Sequence, residues 1–167
     1  VSIDNPSSTD TVVNLSLGPS TATMGDDYAN FGPQVTIPAG NFSAVIDVDV
    51  LDDAIVEPTE NVTLDLNSID SGDADIAIDG ANDSDTVNVD DDDSATVSIA
   101  ANDGAASEPA DDGQFAVKLT SPSSTDTEVT YSAGGSAGGG TDYTALTSPV
   151  TIPAGDTSAV IDVAVLD

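Results

Sequence analysis

The sequence predicts an all-β protein made of antiparallel β-sandwiches in tandem. Three observations predict it. Apolar and polar residues alternate over short stretches, no stretch carries a 3.6-residue period, and the chain repeats itself at a domain-sized interval. Val35-Thr36-Ile37-Pro38-Ala39-Gly40 returns as Val150-Thr151-Ile152-Pro153-Ala154-Gly155, an offset of 115 residues. Ser43-Ala44-Val45-Ile46-Asp47-Val48 returns at the same offset of 115 as Ser158-Ala159-Val160-Ile161-Asp162-Val163. Pro6-Ser7-Ser8-Thr9-Asp10-Thr11 returns as Pro122-Ser123-Ser124-Thr125-Asp126-Thr127, offset by 116. A unit of this length is a whole domain, longer than the ~20–50-residue repeats of solenoids. The 167 residues hold about 1.45 such units, which reads as an internal segment of a longer array.

Each strand follows from its own pattern. In the first repeat we expect strands at 1–3, over 12–17 (V-V-N-L-S-L), over the 35–37 stretch, at 46–50, at 61–67 and at 86–90. Ile46, Val48 and Val50 alternate with Asp47 and Asp49, and Val62, Leu64 and Leu66 alternate with Thr63 and Asp65. In the second repeat we expect strands near 95–100 and at 114–119, 128–133, 149–152 and 159–166. Phe115, Val117 and Leu119 alternate there with Ala116 and Lys118. Alternation buries one face and solvates the other, as antiparallel sheets require. Gly, Pro, Asn, Asp and Ser cluster between the strands. Strands of this length at about ten-residue spacing are those of a seven-strand sandwich. The expected domains are 1–93, a repeat lacking its first strand, and 94–167, a second repeat lacking its last strands. Asp90-Asp91-Asp92-Asp93 marks the junction, and the open edges could pair with another chain.

Charge excludes several functions. The chain carries 31 Asp and Glu, one cationic side chain (Lys118) and no His, for a net charge of −30. Nucleic acid is recognised by Lys and Arg that displace counterions, and one cation cannot do so. Anionic membrane surfaces are disfavoured for the same reason, and no membrane insertion is expected. Without Cys there are neither disulfides nor thiolate metal sites, and without Cys or His there is no thiol catalysis and no His-assisted triad. Carboxylate pairs abound, but no Trp and few aromatics are present to hold a sugar, so no enzymatic activity is expected.

The acidic residues gather in the loops at strand ends: Asp26-Asp27, Asp52-Asp53 with Glu57 and Glu60, and Asp90 to Asp93. Asp142, Asp167 and Glu108 repeat this in the second unit. A sandwich collects alternate loops at one pole. Carboxylates 4 Å apart repel by about 4 kcal/mol per pair at an effective dielectric near 20. A hard divalent cation removes that cost, and calcium takes about six to eight oxygen ligands at about 2.3–2.6 Å. The bland alternative is an acidic surface that serves solvation. It fits Asp47, Asp49, Asp65 and Asp162 on outward strand faces and the aspartates between 70 and 85. Gly138-Gly139-Gly140-Thr141-Asp142 nearly matches a calcium nonapeptide but occurs once, and reads as a flexible loop. Tyr28 and Tyr143 read as packing residues, and the sequons at Asn14, Asn41, Asn61 and Asn82 as chance.

Gly25-Asp26-Asp27-Tyr28, the VTIPAG stretch, the segment from Val50 through Asp52, Asp53, Glu57 and Glu60 to Leu64, and Val87 to Asp93 together resemble a Calx-β repeat. Glu108 with Phe115-Ala116-Val117-Lys118-Leu119 resembles the start of another, so the resemblance spans the chain. The resemblance implies an immunoglobulin-like sandwich of the kind found in sodium–calcium exchangers, integrin β4 and large bacterial surface proteins. It implies calcium ligands at Asp27, Asp52, Asp53, Glu57, Glu60, Asp91, Asp92 and Asp93 in the first repeat, and at Glu108, Asp142 and Asp167 in the second. The expected role is a calcium-binding spacer or adhesion repeat of a long secreted or surface-attached bacterial protein, stiffened by calcium at the inter-repeat junction. Its partners would be calcium ions and neighbouring repeats of the same or identical chains. A filament subunit assembled by strand exchange and a regulatory calcium sensor are the alternatives.

Overall fold

The computed structural model describes residues 1–167. Nine strands form, and every ladder between them is antiparallel. Two compact units divide the chain: Val1–Asp53 with Pro58–Asp90, and Ala54–Glu57 with Asp91–Asp167.

In the first unit, β1 (Thr11–Leu17), β2 (Gln34–Ile37), β3 (Glu60–Ser71) and β4 (Ser84–Val89) form one sheet in the order β2-β1-β3-β4. Alternation in β1 turns Thr11, Val13 and Leu15 inward, and Val13 sits opposite Val35 on one side and Ile69 on the other. The facing layer is made by residues 1–3 and 42–48. The Ser2–Ser43 bridge joins them, the Ile3 N–H donates to the Phe42 carbonyl at 2.8 Å, and the Ala44 N–H donates to the Val1 carbonyl at 3.0 Å. Val13, Leu15 and Val35 pack between the layers against Val1, Ala44, Ile46, Leu64 and Leu66. Nearer the acidic loops, Tyr28 packs with Ala22, Val62 and Val89, and its ring stacks on Phe31 at 5.9 Å.

Three expectations differ from this arrangement, the first being the strand expected at 1–3, where only Ser2 forms a bridge. The alternation over 46–50 is real, since Ile46 and Val48 are half-buried and Asp47 and Asp49 exposed, but these residues form no regular ladder. Periodicity reports which face is buried, and burial of one face does not by itself make a ladder. Conversely, β3 runs on to Ser71, beyond the expected end at 67. Its pairing with β1 shifts register between Val12 and Val13 and between Asn14 and Leu15. Each bulge inserts a residue and breaks the period of two, so the alternation stops before the strand does.

In the second unit, β5 (Val97–Asp103), β6 (Gly113–Leu119) and β9 (Ser158–Val163) form a sheet in the order β5-β6-β9. β7 (Thr127–Val129) and β8 (Val150–Ile152) pair as a second, smaller sheet. Val117, Ile152 and Ile161 are buried together, with Leu119, Val129, Tyr131, Leu146, Val150 and Ala159 around them.

The repeated motifs are explained by hydrogen bonds. In the first unit the Asp10 carboxylate accepts the Ala39 N–H at 2.8 Å, and the Gly40 N–H donates to the Ser7 carbonyl at 2.8 Å. In the second unit Asp126 accepts from the Ala154 N–H at 2.9 Å and Gly155 donates to the Ser123 carbonyl at 2.8 Å. The P-S-S-T-D-T and V-T-I-P-A-G stretches are therefore two halves of one lock between neighbouring turns. Gly40 and Gly155 hold φ of 81° and 80°, a region that costs a side chain about 1–2 kcal/mol. Gly40→Ala should lower unfolding free energy by about that amount in denaturant titrations. Gly80→Ala, at a glycine without positive φ and with open space around it, should change it by less than about 0.5 kcal/mol.

Candidate metal centre

The loop between β1 and β2 is shaped by its own backbone. The Asp27 N–H donates to the Thr23 carbonyl at 2.9 Å, the Gly25 N–H to the Tyr28 carbonyl at 2.9 Å, and the Thr23 N–H to the Asp27 carboxylate. The Asp27 carbonyl then accepts the Leu51 N–H at 2.9 Å, which holds this loop beside Asp52 and Asp53. The second repeat builds the same loop. Asp142 N–H donates to the Gly138 carbonyl at 2.9 Å, the Gly140 N–H to the Tyr143 carbonyl at 2.6 Å, and the Asp142 carbonyl accepts the Leu166 N–H at 3.0 Å. Asp142 is thereby placed beside Asp167. Tyr28 and Tyr143 bridge to Val50 and Val165 at equivalent points. Tyr28 is fully buried, so its ring anchors the loop that carries Asp27.

Three of the expected ligands converge. Oxygens of Asp27, Glu57 and Glu60, all half-buried, lie within 4.8 Å of one another. Two ligands on one calcium at about 2.3–2.6 Å stand at most about 4.6–5.2 Å apart, so this spacing suits a single ion. The donor set suits it too: three hard carboxylate oxygens and no nitrogen or sulfur. Backbone carbonyls and water would supply the remaining positions. With no cation, each pair at about 5 Å repels by roughly 3 kcal/mol at a dielectric of 20 and by under about 1 kcal/mol in bulk water. Half-burial puts the cost between those limits.

The other expected ligands are placed differently. Asp52 and Asp53 lie exposed on the loop after Val50. Asp91 and Asp92 are exposed and Asp93 is half-buried. The Asp91 carboxylate already holds backbone: it accepts the Glu57 N–H at 2.9 Å and the Asp93 N–H at 3.2 Å. Val56 is held just before it, its N–H donating to the Pro122 carbonyl at 2.9 Å and its carbonyl accepting the Ser124 N–H at 3.1 Å. The segment that presents Glu57 is thus fixed by Asp91 and by the 122–124 turn, a role that no sequence period signals. In the second repeat Glu108, Asp142 and Asp167 are all exposed. Asp112 is an acidic residue that the sequence reading passed over. Its carboxylate accepts the Val165 N–H at 2.8 Å, which brings the β5–β6 loop carrying Glu108 toward the Asp142 and Asp167 end.

Glu60→Gln should raise stability in chelator at low ionic strength, by up to about 1 kcal/mol for a half-exposed charge, and the gain should shrink in about 1 M salt. Chemical denaturation at the two ionic strengths measures it.

The Calx-beta domain family matches the chain twice, over residues 1–93 and 90–167. No curated protein sequence matches it. Among solved structures it is similar to the crystal structure of CBD12 from CALX1.2, at 19% identity and a TM-score of 0.43 over 96% of this chain. It is also similar to the crystal structure of calcium binding domain CBD12 of CALX1.1, at 18% identity and a TM-score of 0.43, again over 96% of this chain. The chain spans 65% and 64% of those two chains.

Proposed function

This chain belongs to the Calx-beta domain family, and from that premise we propose that it is a calcium-stiffened structural spacer. It would work in a long extracellular or cell-surface protein, as an adhesion or fibre repeat, with no catalytic role. Calx-beta domains are calcium-binding modules. The observation that carries the reading is the approach of the Asp27, Glu57 and Glu60 oxygens to within 4.8 Å in a chain with a single cationic side chain. Like charges are brought that close at a cost that a divalent cation turns into a gain. The Glu57 N–H is held by Asp91, which stands in the segment that leads from one repeat toward the other, so an ion bound beside Glu57 would limit the freedom of that connection. Without calcium the connection would loosen and an array of repeats would coil; with it the array would be a rod. Sites of extracellular modules fill at about 10⁻⁴–10⁻³ M calcium, which keeps such a spacer permanently loaded outside the cell.

Thermal melting and small-angle scattering of the 167-residue chain, with calcium, magnesium and EGTA, test this together. At a calcium concentration ~100-fold above Kd, binding to the folded state adds about 2.7 kcal/mol, or roughly 10 °C for a domain of this size. We expect that rise, a longer and less variable particle, and a smaller response to magnesium. Melting and scattering unchanged by calcium would show that the acidic loops serve solvation and that the spacer is passive.

A further inference from the structure

The single cationic side chain of this protein stands on the outer face of the β5-β6-β9 sheet. Residues directly opposite on an antiparallel ladder share a face of the sheet. Val117 and Ile161 are buried in the core of the second unit, so their neighbours along β6 and β9 point the other way. Lys118 is exposed there, between Ser98 of β5 and Ser158 of β9, neither of which is charged. The next row is Ala116 between Ala100 and Val160, small and uncharged, with Val160 51% exposed. In the row after it Gln114 stands opposite Asp162. The Gln114 Nε2 donates to Asp162 Oδ1 at 2.6 Å, and its Oε1 accepts from Asn102 Nδ2 at 2.6 Å, which steadies the carboxylate of Asp162.

Lys118 and Asp162 are therefore placed on a diagonal. Strands lie about 4.8 Å apart and rise about 3.3 Å per residue, and Lys118 is four residues along β6 from Gln114, the partner of Asp162. Their Cα atoms stand about 14 Å apart, too far for an ion pair within one chain. The midpoint of that diagonal falls in the uncharged row, between Ala116 and Val160. A two-fold axis through this midpoint, lying in the plane of contact, would set each Lys118 over Asp162 of another copy and bring Val160 face to face with itself.

We propose that the outer face of β5-β6-β9 docks a second copy of the chain through two reciprocal Lys118–Asp162 ion pairs around that axis. Charge selects the occupant. A lone cation attracts an acidic partner, and a chain with 31 Asp and Glu is one. The contact uses the same patch on both copies, so it closes as a dimer. The first unit carries the same strand pattern without the cation: the counterparts of Lys118, Val160 and Asp162 are Ser2, Val45 and Asp47. Its equivalent face offers a carboxylate and nothing to pair with it. The contact needs no calcium and stands apart from the acidic pole. In about 0.15 M salt the Debye length is about 8 Å, so repulsion from charges outside the contact is damped while the paired charges keep their attraction.

The test uses the absence of Cys from the chain. Val160→Cys places one thiol beside the proposed axis. A bismaleimide spanning the ~10 Å between packed sheets then joins two such thiols, in about 0.15 M salt with EGTA so that no cation bridges acidic loops, and a denaturing gel reads the covalent dimer. We expect dimer that rises with chain concentration and exceeds that from Val45→Cys, a 79% exposed site, at least about fivefold. In the Val160→Cys chain, Lys118→Glu should cut the yield at least about fivefold. Asp162→Lys alone should also cut it, although it lowers the net charge. Lys118→Glu together with Asp162→Lys keeps the native net charge, exchanges the two partners and should restore the dimer. Equal dimer from Val45→Cys would overturn the proposal. So would a yield that follows net charge alone, rising with Asp162→Lys, or a double exchange that fails to restore the dimer.

Discussion

Repulsion among carboxylates is the constraint on which the rest of this structure depends. Thirty-one acidic side chains face one Lys, and no His is present to share the load. Most are placed where water screens them: Asp47 and Asp49 point outward from the facing layer of the first unit, and Asp162 is exposed on β9. The fold departs from that economy at Asp27, Glu57 and Glu60, where three half-buried carboxylates meet. A few kcal/mol of repulsion there is of the same order as the net stability of a small domain, so the arrangement is costly unless a cation offsets it.

What holds those carboxylates in place is a set of contacts that does not itself need a cation. Burial of an aromatic of about 200 Å² contributes on the order of 5 kcal/mol, and Tyr28 supplies it one residue from Asp27. The Tyr28 hydroxyl is buried with no hydrogen-bond partner, so the ring serves as apolar mass and its polar end brings no gain. On the other side Asp91 holds the Glu57 N–H, and the 122–124 turn holds Val56. Packing shapes the loop that carries Asp27 and backbone bonds shape the segment that carries Glu57, and a cation would offset the repulsion among the carboxylates.

Much of this was legible in the sequence because sheets write a period of two wherever one face is buried. The strands around Val13, Val62, Val117 and Ile161 follow that rule, and the doubled motifs disclosed the repeat before any contact was known. The layer at 46–50 shows the limit: burial was readable, but whether the segment forms a regular ladder was not. The bulges that let β3 reach Ser71 are equally silent, because an inserted residue looks like the end of the pattern. At the acidic pole, composition and loop position nominated eight candidates in the first repeat, Asp27, Glu57 and Glu60 among them. They could not distinguish the carboxylates that converge from one like Asp91, whose oxygens accept the Glu57 and Asp93 N–H groups. Asp10 and Asp126 make the same point, since both repeat faithfully and both lock turns.

Terbium luminescence excited through tyrosine tests the central claim most directly, because terbium takes the same oxygen ligands as calcium and Tyr28 adjoins Asp27 in the chain. The account predicts sensitised emission that saturates, is displaced by millimolar calcium, drops with Tyr28→Phe and is abolished by Asp27→Asn combined with Glu60→Gln. Emission that is absent, or that survives the double substitution unchanged, would contradict a calcium site at Asp27, Glu57 and Glu60.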